Sequence, residues 1–401
     1  MSIIQRWIEQ DLRHPSSQKK VRLLFGARQT GKTTLLRSVI ETEAHKIEFD
    51  LQDASLRLAF ERNPGSFSEQ LLAAAPHPRV VFVDEIQKAP MLLDEIHWLI
   101  ENHKIQFILT GSSARKLKRA SANMLGGRAL LRHLFPFLYL ELENDFDLEK
   151  VLKLGSLPGM YFDSPETATE KLTSYVETYL KEEIMLEAAV RNIGHFHRFL
   201  EVAAQHATEL LNFENIAREA SIKSGVIKSY LQILDDTLIG YILPPWDQSV
   251  RKQLGKHPKF YFFDNGVLNS INRQSANAQI HPELRGKLFE QWIINEVRAV
   301  LSYLRSSFKM YFWQTKAGNE VDLLLARNNL PEIAIEIKAK RSIGPKDMSG
   351  LKSLGEEYPQ VKQLLVCEEV FPRSEGEIQI LPYKTFLSEL GPFLNLAKLS
   401  S

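Results

Sequence analysis

The sequence is poor in the features that mark secreted and membrane-spanning proteins. Its 401 residues include one cysteine, Cys367, so no disulfide can form within the chain, which fits a reducing compartment. No apolar run reaches the length needed to span a membrane, and the first residues lack the apolar stretch of a signal peptide. We therefore expect a soluble cytoplasmic protein that does not associate with membranes.

An excess of charge of one sign is also lacking. Lys and Arg number 50 and Asp and Glu number 49, which leaves a formal net charge of +1. The whole-chain charge therefore neither indicates nor excludes a nucleic-acid partner, and only local clusters bear on that question. Internal repeats and low-complexity tracts are absent as well, and a chain of this length is expected to form two or three domains.

The strongest motif that is present follows the apolar run 21–25. The pattern Gly-x-x-x-x-Gly-Lys-Thr between a strand and a helix is typical of the loop that holds the phosphates of a nucleoside triphosphate. Its glycines let successive backbone N–H groups turn toward the phosphates, and the following helix adds its positive N-terminal end. The residues of this predicted phosphate loop are Gly26, Ala27, Arg28, Gln29, Thr30, Gly31, Lys32, Thr33 and Thr34.

Two acids after a second apolar run complete this prediction. Residues 80–83 are all apolar and predict a buried parallel strand, which Asp84 and Glu85 follow. Lys32 is predicted to reach the β- and γ-phosphates, while the Thr33 hydroxyl and Asp84 are predicted to bind Mg²⁺. Glu85 is then placed to orient and polarise the attacking water. The alternative is that the two acids only cap the next helix.

Further positions are candidates for contact with the transferring phosphoryl group. Ser112 and Ser113 follow the strand-like run 104–110, and either could bond to the γ-phosphate or the water, or could simply cap the next helix. Arg128 could supply a guanidinium group in the same chain or across a subunit interface. Arg132 could do the same, although an ordinary surface position is the favoured interpretation for that residue.

These motifs together resemble the AAA-type ATPases of prokaryotes that carry a long C-terminal region of undefined function. The resemblance is carried by residues 25–33, 83–87 and 109–113, and by Gly127-Arg128 followed by residues 134–137. It extends over nearly the whole chain. It implies hydrolysis of ATP, and it implies assembly, because AAA-type sites often use an arginine of a neighbouring subunit.

The middle region, residues 141–280, has mainly helical patterns, over 168–189 and 196–207. Asn212 is placed to cap a short helix that precedes a turn and a second helix over 225–236. With the strand-like runs 239–243 and 259–263, this order predicts a winged helix, and the resemblance agrees. DNA is a candidate partner of this module, and the alternative is a structural or protein-docking role. The candidate contacts are Lys223, Ser224, Lys228, Ser229, Gln232, Arg251, Lys252 and Lys256, together with the basic cluster 115–119.

The C-terminal region, residues 281–401, carries a second set of acids. Glu290 lies near the start of a helical pattern, and two strand-like runs, 318–326 and 332–339, flank a predicted hairpin loop over residues 327–331. Alternation along the second strand places Glu336 and Lys338 on one face, and Asp322 can join them from the first strand. Two carboxylates and a lysine that converge could bind Mg²⁺ and activate a water against a phosphodiester. The alternative is an ordinary ion pair on a strand.

This Asp…Glu-x-Lys arrangement resembles the restriction-endonuclease-like nuclease superfamily. The resemblance implies that Asp322 and Glu336 hold the metal, that Lys338 supports the nucleophile and that Glu290 assists. The motif is short, and the same fold also serves as a binding scaffold without nuclease activity.

The sequence therefore predicts three domains. They are an α/β P-loop ATPase domain with a parallel sheet over 1–140, a helical and winged-helix domain over 141–280, and an α/β restriction-endonuclease-like domain over 281–401. The leading hypothesis is an AAA-type ATPase that uses ATP and Mg²⁺ and couples its nucleotide state to the C-terminal domains. The alternatives are an ATP-regulated, Mg²⁺-dependent DNA nuclease and a nucleotide-sensing DNA-binding regulator. Self-assembly or another protein partner is a further expectation.

Overall fold

The chain folds into two compact units, which are described here from a computed structural model. The first unit contains the described residues up to Phe137 and the segment Asp236–Ile239, and the second contains the other described residues from Leu138 onwards. The described residues are 4–14, 21–74, 77–113, 129–180, 193–249, 253, 257–274 and 279–394.

A five-stranded parallel sheet forms the centre of the first unit. Its strands are β1 (Val21–Phe25), β2 (Lys46–Asp50), β3 (Val80–Asp84), β4 (Gln106–Gly111) and β5 (Ala129–His133). The order across the sheet is β2-β3-β4-β1-β5, and every neighbouring pair is parallel. The segments that follow β1, β3 and β4 therefore meet at one edge of the sheet, with β4 in the middle. This sheet confirms the predicted α/β class of the first unit.

Helices cover this sheet and bury its apolar side chains. Phe49, Phe60 and Phe67 pack ring to ring, with centroid separations of 5.0–5.7 Å, and all three are buried. Burial of each such ring contributes about 2–3 kcal/mol to the free energy of unfolding. The helices of the first unit are Glu9–Arg13, Lys32–Val39, Ala54–Arg62, Gly65–Ala73 and Leu92–His103, with a 3₁₀ turn at Ile86–Lys88.

Two sheets belong to the second unit. The smaller one is an antiparallel pair, and the larger has six strands in the order β12-β13-β11-β10-β9-β8. In the larger sheet β11 is parallel to β10 and to β13, while the other neighbours are antiparallel. The strands are β6 (Gly240–Leu243) and β7 (Lys259–Phe262) in the pair, and β8 (Lys309–Gln314), β9 (Glu320–Arg327), β10 (Leu330–Lys338), β11 (Lys362–Cys367), β12 (Arg373–Glu375) and β13 (Ile378–Pro382) in the large sheet.

The turn between β9 and β10 is shorter than the sequence predicted. The predicted loop over residues 327–331 is wrong, because the strands extend to Arg327 and from Leu330. Only Asn328 and Asn329 form the turn, and both have positive φ, at 54° and 58°. A two-residue turn with both φ values positive matches the twist of a hairpin, and asparagine tolerates that conformation. A shift in register between Pro331 and Ile333 accommodates the proline within the strand.

Helices make up most of the rest of the second unit. The longest, Pro282–Tyr303, packs against β10, and the helix Ser349–Glu357 packs against β9 and β10. The remaining helices are Tyr139–Leu142, Leu148–Leu154, Pro158–Tyr161, Pro165–Ser174, Ile193–Gln205, Phe213–Glu219, Ser224–Asp236, Asn265–Ile271, Tyr383–Ser388 and Leu390–Phe393, with a π-helix at Tyr175–Leu180 and 3₁₀ turns at Glu143–Asp145 and Pro345–Met348.

The predicted pair of short helices is present in the second unit. Asn212 caps the helix Phe213–Glu219, because its side chain accepts hydrogen bonds from the N–H groups of Glu214 and Asn215. The helix Ser224–Asp236 and the antiparallel pair β6–β7 follow. These elements occur in the order predicted for a winged helix, whose assignment stays a prediction.

Two expectations drawn from apolar runs can also be compared with the structure. Cys367 is buried in β11, and burial raises the pKa of its thiol to about 11, so it stays protonated at neutral pH. Among the described residues no helix is both long enough and apolar enough to cross a membrane.

Candidate functional sites

The phosphate loop joins β1 to the helix Lys32–Val39. Two of its residues have a left-handed backbone, Gln29 with φ of 64° and Gly31 with φ of 89°. Gly26 sits against the chain after β5, and a Cβ at this position would lie 2.5 Å from the carbonyl oxygen of Leu134. Within the loop, the Thr30 hydroxyl donates to the Ala27 carbonyl at 2.8 Å. The close approach at Gly26 therefore requires glycine, as expected for a loop that wraps around a ligand.

Lys32 is folded back over this loop. Its Nζ donates to the carbonyl oxygens of Gly26 at 2.9 Å and Ala27 at 3.0 Å, and the side chain is buried. The ammonium group is therefore held against the backbone of the phosphate loop, where a bound phosphate could also accept hydrogen bonds from it.

Asp84 is held by hydroxyl groups from two neighbouring elements. The Thr33 hydroxyl donates to Oδ2 at 2.7 Å, and the Thr110 hydroxyl donates to Oδ1. Burial raises the pKa of Asp84, and the hydrogen bonds from Thr110 and Thr33 partly offset that rise. The two residues predicted to bind Mg²⁺, Thr33 and Asp84, are thus in direct contact.

Glu85 has a strained backbone and a well-defined set of partners. Its φ of 58° and ψ of 47° are left-handed, and its N–H donates to the Thr110 hydroxyl at 3.0 Å. The Gln87 side-chain amide and the Ser112 hydroxyl both donate to Oε2, the latter at 3.0 Å. The Gln87 amide also donates to the Ser112 oxygen at 2.8 Å. The strand order explains the contact between Ser112 and Glu85, because Glu85 follows β3, Ser112 follows β4, and these two strands are neighbours in the sheet.

The electrostatic setting of Glu85 favours its ionised form. Burial alone raises the pKa of this carboxyl group, but the Lys32 ammonium and the hydrogen bonds from Gln87 and Ser112 outweigh burial and leave the pKa below its ordinary value. A carboxylate that is buried, ionised and beside a lysine is a suitable general base or water-orienting group.

The other sequence candidates in the first unit have separate outcomes. Ser112 reaches Glu85, and Ser113 is buried next to it. Arg128 and the basic cluster 115–119 lie outside the described residues. The expectation of a surface position for Arg132 is wrong, because its guanidinium is buried and forms an ion pair with Asp11.

The structure places Arg6, a candidate for contact with adenine from its position upstream of the first strand, beside the phosphate loop. The guanidinium of Arg6 donates to the carbonyl oxygens of Thr30 at 2.9 Å, Phe135 at 2.6 Å and Pro136 at 3.2 Å. It also lies 5.0 Å from the centre of the Phe137 ring, and it is buried. Arg6 therefore ties the phosphate loop to the chain segment after β5. An arginine in a short segment that precedes the first strand carries no pattern that predicts this contact.

The four C-terminal candidates do converge in the second unit. Lys338 Nζ is 2.5 Å from Glu336 Oε1 and 3.7 Å from Asp322 Oδ2. Asp322 Oδ2 also accepts a hydrogen bond from the N–H of Ile337 at 2.8 Å, which fixes it beside β10. Glu290 reaches the same region from the helix Pro282–Tyr303 and completes the set.

The structure adds three residues to this acid cluster that the sequence did not indicate. Lys259 of β7 lies with its Nζ 3.3 Å from Glu290 Oε1 and 4.0 Å from Asp322 Oδ1, and it forms an ion pair with Glu320. The Tyr261 hydroxyl donates to Glu290 Oε1 at 2.6 Å. Lys259 and Tyr261 alternate along β7 and so project from one face of the strand. Both fell within the run predicted as a wing, so no pattern connected them to the acids.

Two carboxyl groups of this cluster, those of Glu290 and Glu336, have a raised pKa. Burial raises the pKa of Glu290 to about 7, against the opposing effect of the Lys259 ammonium. Burial and the charge of Asp322 raise the pKa of Glu336 well above its ordinary value, and Glu336 Oε2 has no hydrogen-bond partner among the described residues. The charges of Asp322 and Glu336 raise the pKa of Lys338 despite its burial, so the lysine stays charged. Within the described ranges, no three acidic, histidine or cysteine side chains are arranged to hold a metal ion.

The candidate DNA contacts lie on the exposed side of the paired helices. Lys223, Lys228, Ser229 and Gln232 are exposed, and Ser224 is half-buried. By contrast, every residue of β7 is buried, so this strand offers no free surface to a nucleic acid. Arg251, Lys252 and Lys256 lie outside the described residues.

Comparison with known proteins divides the chain into three consecutive parts. A family model described as an AAA domain matches residues 18–143. Models described as domains of unknown function match residues 145–278 (DUF8612) and 285–386 (DUF4143).

Curated relatives match most of the chain at low identity. Uncharacterized protein Rv2008c of Mycobacterium tuberculosis is 24% identical over 333 residues, which cover 82% of this chain and 72% of the relative. Uncharacterized protein MJ1637 of Methanocaldococcus jannaschii is 24% identical over 439 residues, which cover 96% of this chain and 86% of the relative.

Among solved structures, the replication initiator DnaA bound to AMPPCP and single-stranded DNA matches with a TM-score of 0.30 and 13% identity, over 57% of this chain and 86% of that one. A likeness this low supports no statement about function. The AAA model, the phosphate loop and the parallel sheet do agree with one another. Residues 18–143 therefore resemble an AAA domain in sequence and have the parallel sheet and phosphate loop of the P-loop fold.

Proposed function

We propose that this protein is an ATPase whose first unit binds ATP with Mg²⁺ and hydrolyses it. The observation that carries the proposal is the position of Glu85 at the sheet edge, where Lys32, Gln87 and Ser112 favour its ionised form. An AAA-type loop alone would support nucleotide binding. A carboxylate prepared in this way beside the loop supports hydrolysis as well.

The residues at this edge are suited to ATP and Mg²⁺. Lys32 donates to carbonyls of the loop at the place where the β- and γ-phosphates would bind, and the backbone N–H groups of the loop would bind them further. Thr33 and Asp84, already joined at 2.7 Å, would hold Mg²⁺, which supplies positive charge next to the phosphates.

Glu85 would act on the water that attacks the γ-phosphate. Its carboxylate accepts a hydrogen bond from that water and takes its proton as the new bond to phosphorus forms, and the products are ADP and inorganic phosphate. Ser112 and Gln87 keep the carboxylate in one orientation during this step, because both donate to Oε2. The guanidinium that would complete the site is proposed to be that of Arg128, from the same chain or from a second copy.

Coupling of the nucleotide state to the second unit is supported by the contacts of Arg6. Its guanidinium binds Thr30 of the phosphate loop and also Phe135 and Pro136, which lie only two to three residues before the second unit begins at Leu138. A displacement of the loop would therefore pull on the segment that leads into the second unit.

The test measures phosphate release by purified wild type and Glu85→Gln. The matched control is Glu69→Gln, because Glu69 is an exposed residue of a helix in the same unit. We expect Glu85→Gln to bind ATP and to lose about 100- to 10,000-fold in turnover, the usual contribution of a general base. The control should hydrolyse ATP like wild type. Undiminished turnover by Glu85→Gln would contradict the proposal.

Binding of DNA by the paired helices is a second candidate function. It is favoured by the exposed row of Lys223, Lys228, Ser229 and Gln232 on and just before the helix Ser224–Asp236. If these lysines contact phosphates, Lys223→Ala together with Lys228→Ala should weaken DNA binding and reduce its dependence on salt concentration. Equal binding by wild type and the double variant in a fluorescence-anisotropy titration would rule out this surface.

A further inference from the structure

The acid cluster of the second unit contains the ammonium group of Lys259, which lies on β7, outside the large sheet that carries Asp322 and Glu336. Lys259 Nζ lies within 4.0 Å of carboxylate oxygens from Glu290 and Asp322 and also pairs with Glu320. The lysine is 3% exposed, so its charge is directed entirely into the protein. A buried lysine is stable only when carboxylates compensate its charge, and here it has three.

The restriction-endonuclease-like arrangement would require a divalent cation at these same carboxylates. A cation bound to Asp322 would be a near neighbour of two ammonium groups, because Lys259 is 4.0 Å from Oδ1 and Lys338 is 3.7 Å from Oδ2. Repulsion between like charges at such distances in a buried site is strong. The residues present therefore do not fit a bound divalent metal.

The backbone of Lys259 is fixed on both edges of its strand. Its strand β7 is held on one edge by β6 and on the other by the segment 208–211, where the N–H groups of Thr208 and Leu211 donate to the carbonyls of Phe260 and Pro258. The ammonium lies 5.6 Å from the centre of the Phe312 ring. At Gly240 of β6, a Cβ would lie 2.3 Å from the Phe260 ring, so the hairpin is closely packed. Movement of the Lys259 backbone away from the cluster would require β7 to detach from both of its neighbours.

We propose that Lys259 is the resident cation of the acid cluster, taking the place at which a divalent metal would bind, so that the carboxylates are held together without a metal. Removal of the ammonium should then turn the cluster into a metal-binding site. Glu336 would contribute to that site, because its Oε2, in a residue only 6% exposed, has no hydrogen-bond partner among the described residues.

The proposal can be tested with Mn²⁺ and the full-length protein in the absence of nucleotide. Binding is measured from the electron paramagnetic resonance signal of free Mn²⁺. Every protein in the series carries Asp84→Asn, which removes the proposed Mg²⁺ ligand of the first unit. The series adds Lys259→Met, Lys259→Gln, Lys259→Arg, Asp322→Asn, and Lys259→Met combined with Asp322→Asn.

We expect the parent protein and Lys259→Arg to bind no Mn²⁺ at the cluster. Lys259→Met and Lys259→Gln should each bind one ion at least about a hundredfold more tightly than the parent protein does, because the positive charge that repels the ion has been removed. The added Asp322→Asn should abolish that gain, which assigns the ion to this cluster. Circular dichroism and urea unfolding establish whether each variant is folded. If Lys259→Met does not fold, Lys259→Gln replaces it in the comparison.

Two results would overturn the proposal. One is a Mn²⁺ ion bound by the parent protein and lost in Asp322→Asn, which would mean that Lys259 does not exclude the metal, and this comparison requires no lysine variant. The other is a folded Lys259→Gln or Lys259→Met that binds no ion. Neither result depends on ATP hydrolysis, so failure here is distinct from failure of the proposed function.

Discussion

The two units each gather carboxylates and lysines in one place, but they partner them in opposite ways. In the first unit, Asp84 and Glu85 accept hydrogen bonds from hydroxyl and amide groups, while Lys32 donates to backbone carbonyls. In the second unit, Lys259 and Lys338 contact the carboxylates directly.

This difference separates a site prepared for a ligand from a site that is already neutralised. Neutral hydrogen bonds fix a carboxylate without cancelling its charge, so a metal ion can still be attracted to it. An ammonium partner cancels that charge in advance.

Among the predictions that compare the two acid sites, the largest effect should come from removing the charge of Asp84. Asp84→Asn keeps the shape of the side chain but loses the proposed metal ligand, and we expect phosphate release to fall about 100- to 1,000-fold. Chelation of Mg²⁺ with EDTA should abolish turnover in wild type. Asp94→Asn, an exposed residue of the same unit, is the control. Unchanged turnover in Asp84→Asn would remove the distinction between the two acid sites.

The second prediction concerns the pH dependence of stability in the second unit. Glu296 is buried, where it accepts hydrogen bonds from Tyr139 and Trp292, and burial raises its pKa from 4.5 to about 8. The folded state therefore binds this proton more tightly than the unfolded state, and the stability that it provides is lost as pH rises from about 4.5 through about 8.

Hydrogen exchange in the helix Pro282–Tyr303, corrected for intrinsic rates, measures this loss. In Glu296→Gln the fall in the free energy of opening should be smaller than in wild type by up to roughly 4 kcal/mol. Glu283→Gln, exposed on the same helix, should behave like wild type. An equally steep fall in Glu296→Gln would show that its carboxyl group does not titrate in this way.

A third prediction tests the anchor of the phosphate loop. Arg6→Ala removes a buried guanidinium from three backbone carbonyls, and we expect the free energy of unfolding of the first unit to decrease by roughly 3 kcal/mol, with weaker ATP binding. Urea unfolding and nucleotide titration measure the two effects. Arg62→Ala at an exposed helix end is the control. If ATP affinity in Arg6→Ala equals that of wild type, Arg6 has no role in shaping the loop.

The smallest effect is expected for Ser112. Ser112→Ala removes one hydrogen bond from Glu85, and we expect turnover to fall about fivefold. Because that bond lowers the pKa of Glu85, its loss should move the acid limb of the pH–rate profile to higher pH. Activity requires the ionised carboxylate, so the loss is greater at low pH than at high pH. An acid limb unchanged from that of the exposed variant Ser55→Ala would contradict this assignment.

The sequence was most informative where function requires a contiguous motif. Val21–Phe25 and Val80–Asp84 are read directly from apolar runs that end in glycine or acid, and the motif places Lys32, Thr33 and Asp84 without knowledge of the fold. Asp322, Glu336 and Lys338 converge as alternation predicted, because two paired strands fix their spacing.

The contacts that escaped the sequence are those between distant segments. Arg6 binds residues 24 and about 130 positions away, and Lys259 meets Glu290 and Asp322 across separate elements. The sequence around Arg6 or Lys259 does not indicate which residue each will contact, because a single charged residue in an apolar run is compatible with many folds. The turn at Asn328-Asn329 was predicted too long, because the predicted loop extended to Pro331, which instead lies in β10 beside a shift in register.

Lys259 and its carboxylate partners lie in different matched regions of the chain, which matters for any attempt to separate those regions. The lysine lies in the part that matches DUF8612, at residues 145–278, while its carboxylate partners lie in the part that matches DUF4143, at residues 285–386. A polypeptide cut between these parts would bury several acids without their cation, and a graft of either part onto another protein would separate the pair. Loss of one partner from a buried ion pair costs about 3–5 kcal/mol. The two matched regions should therefore be expressed, swapped and engineered as one piece.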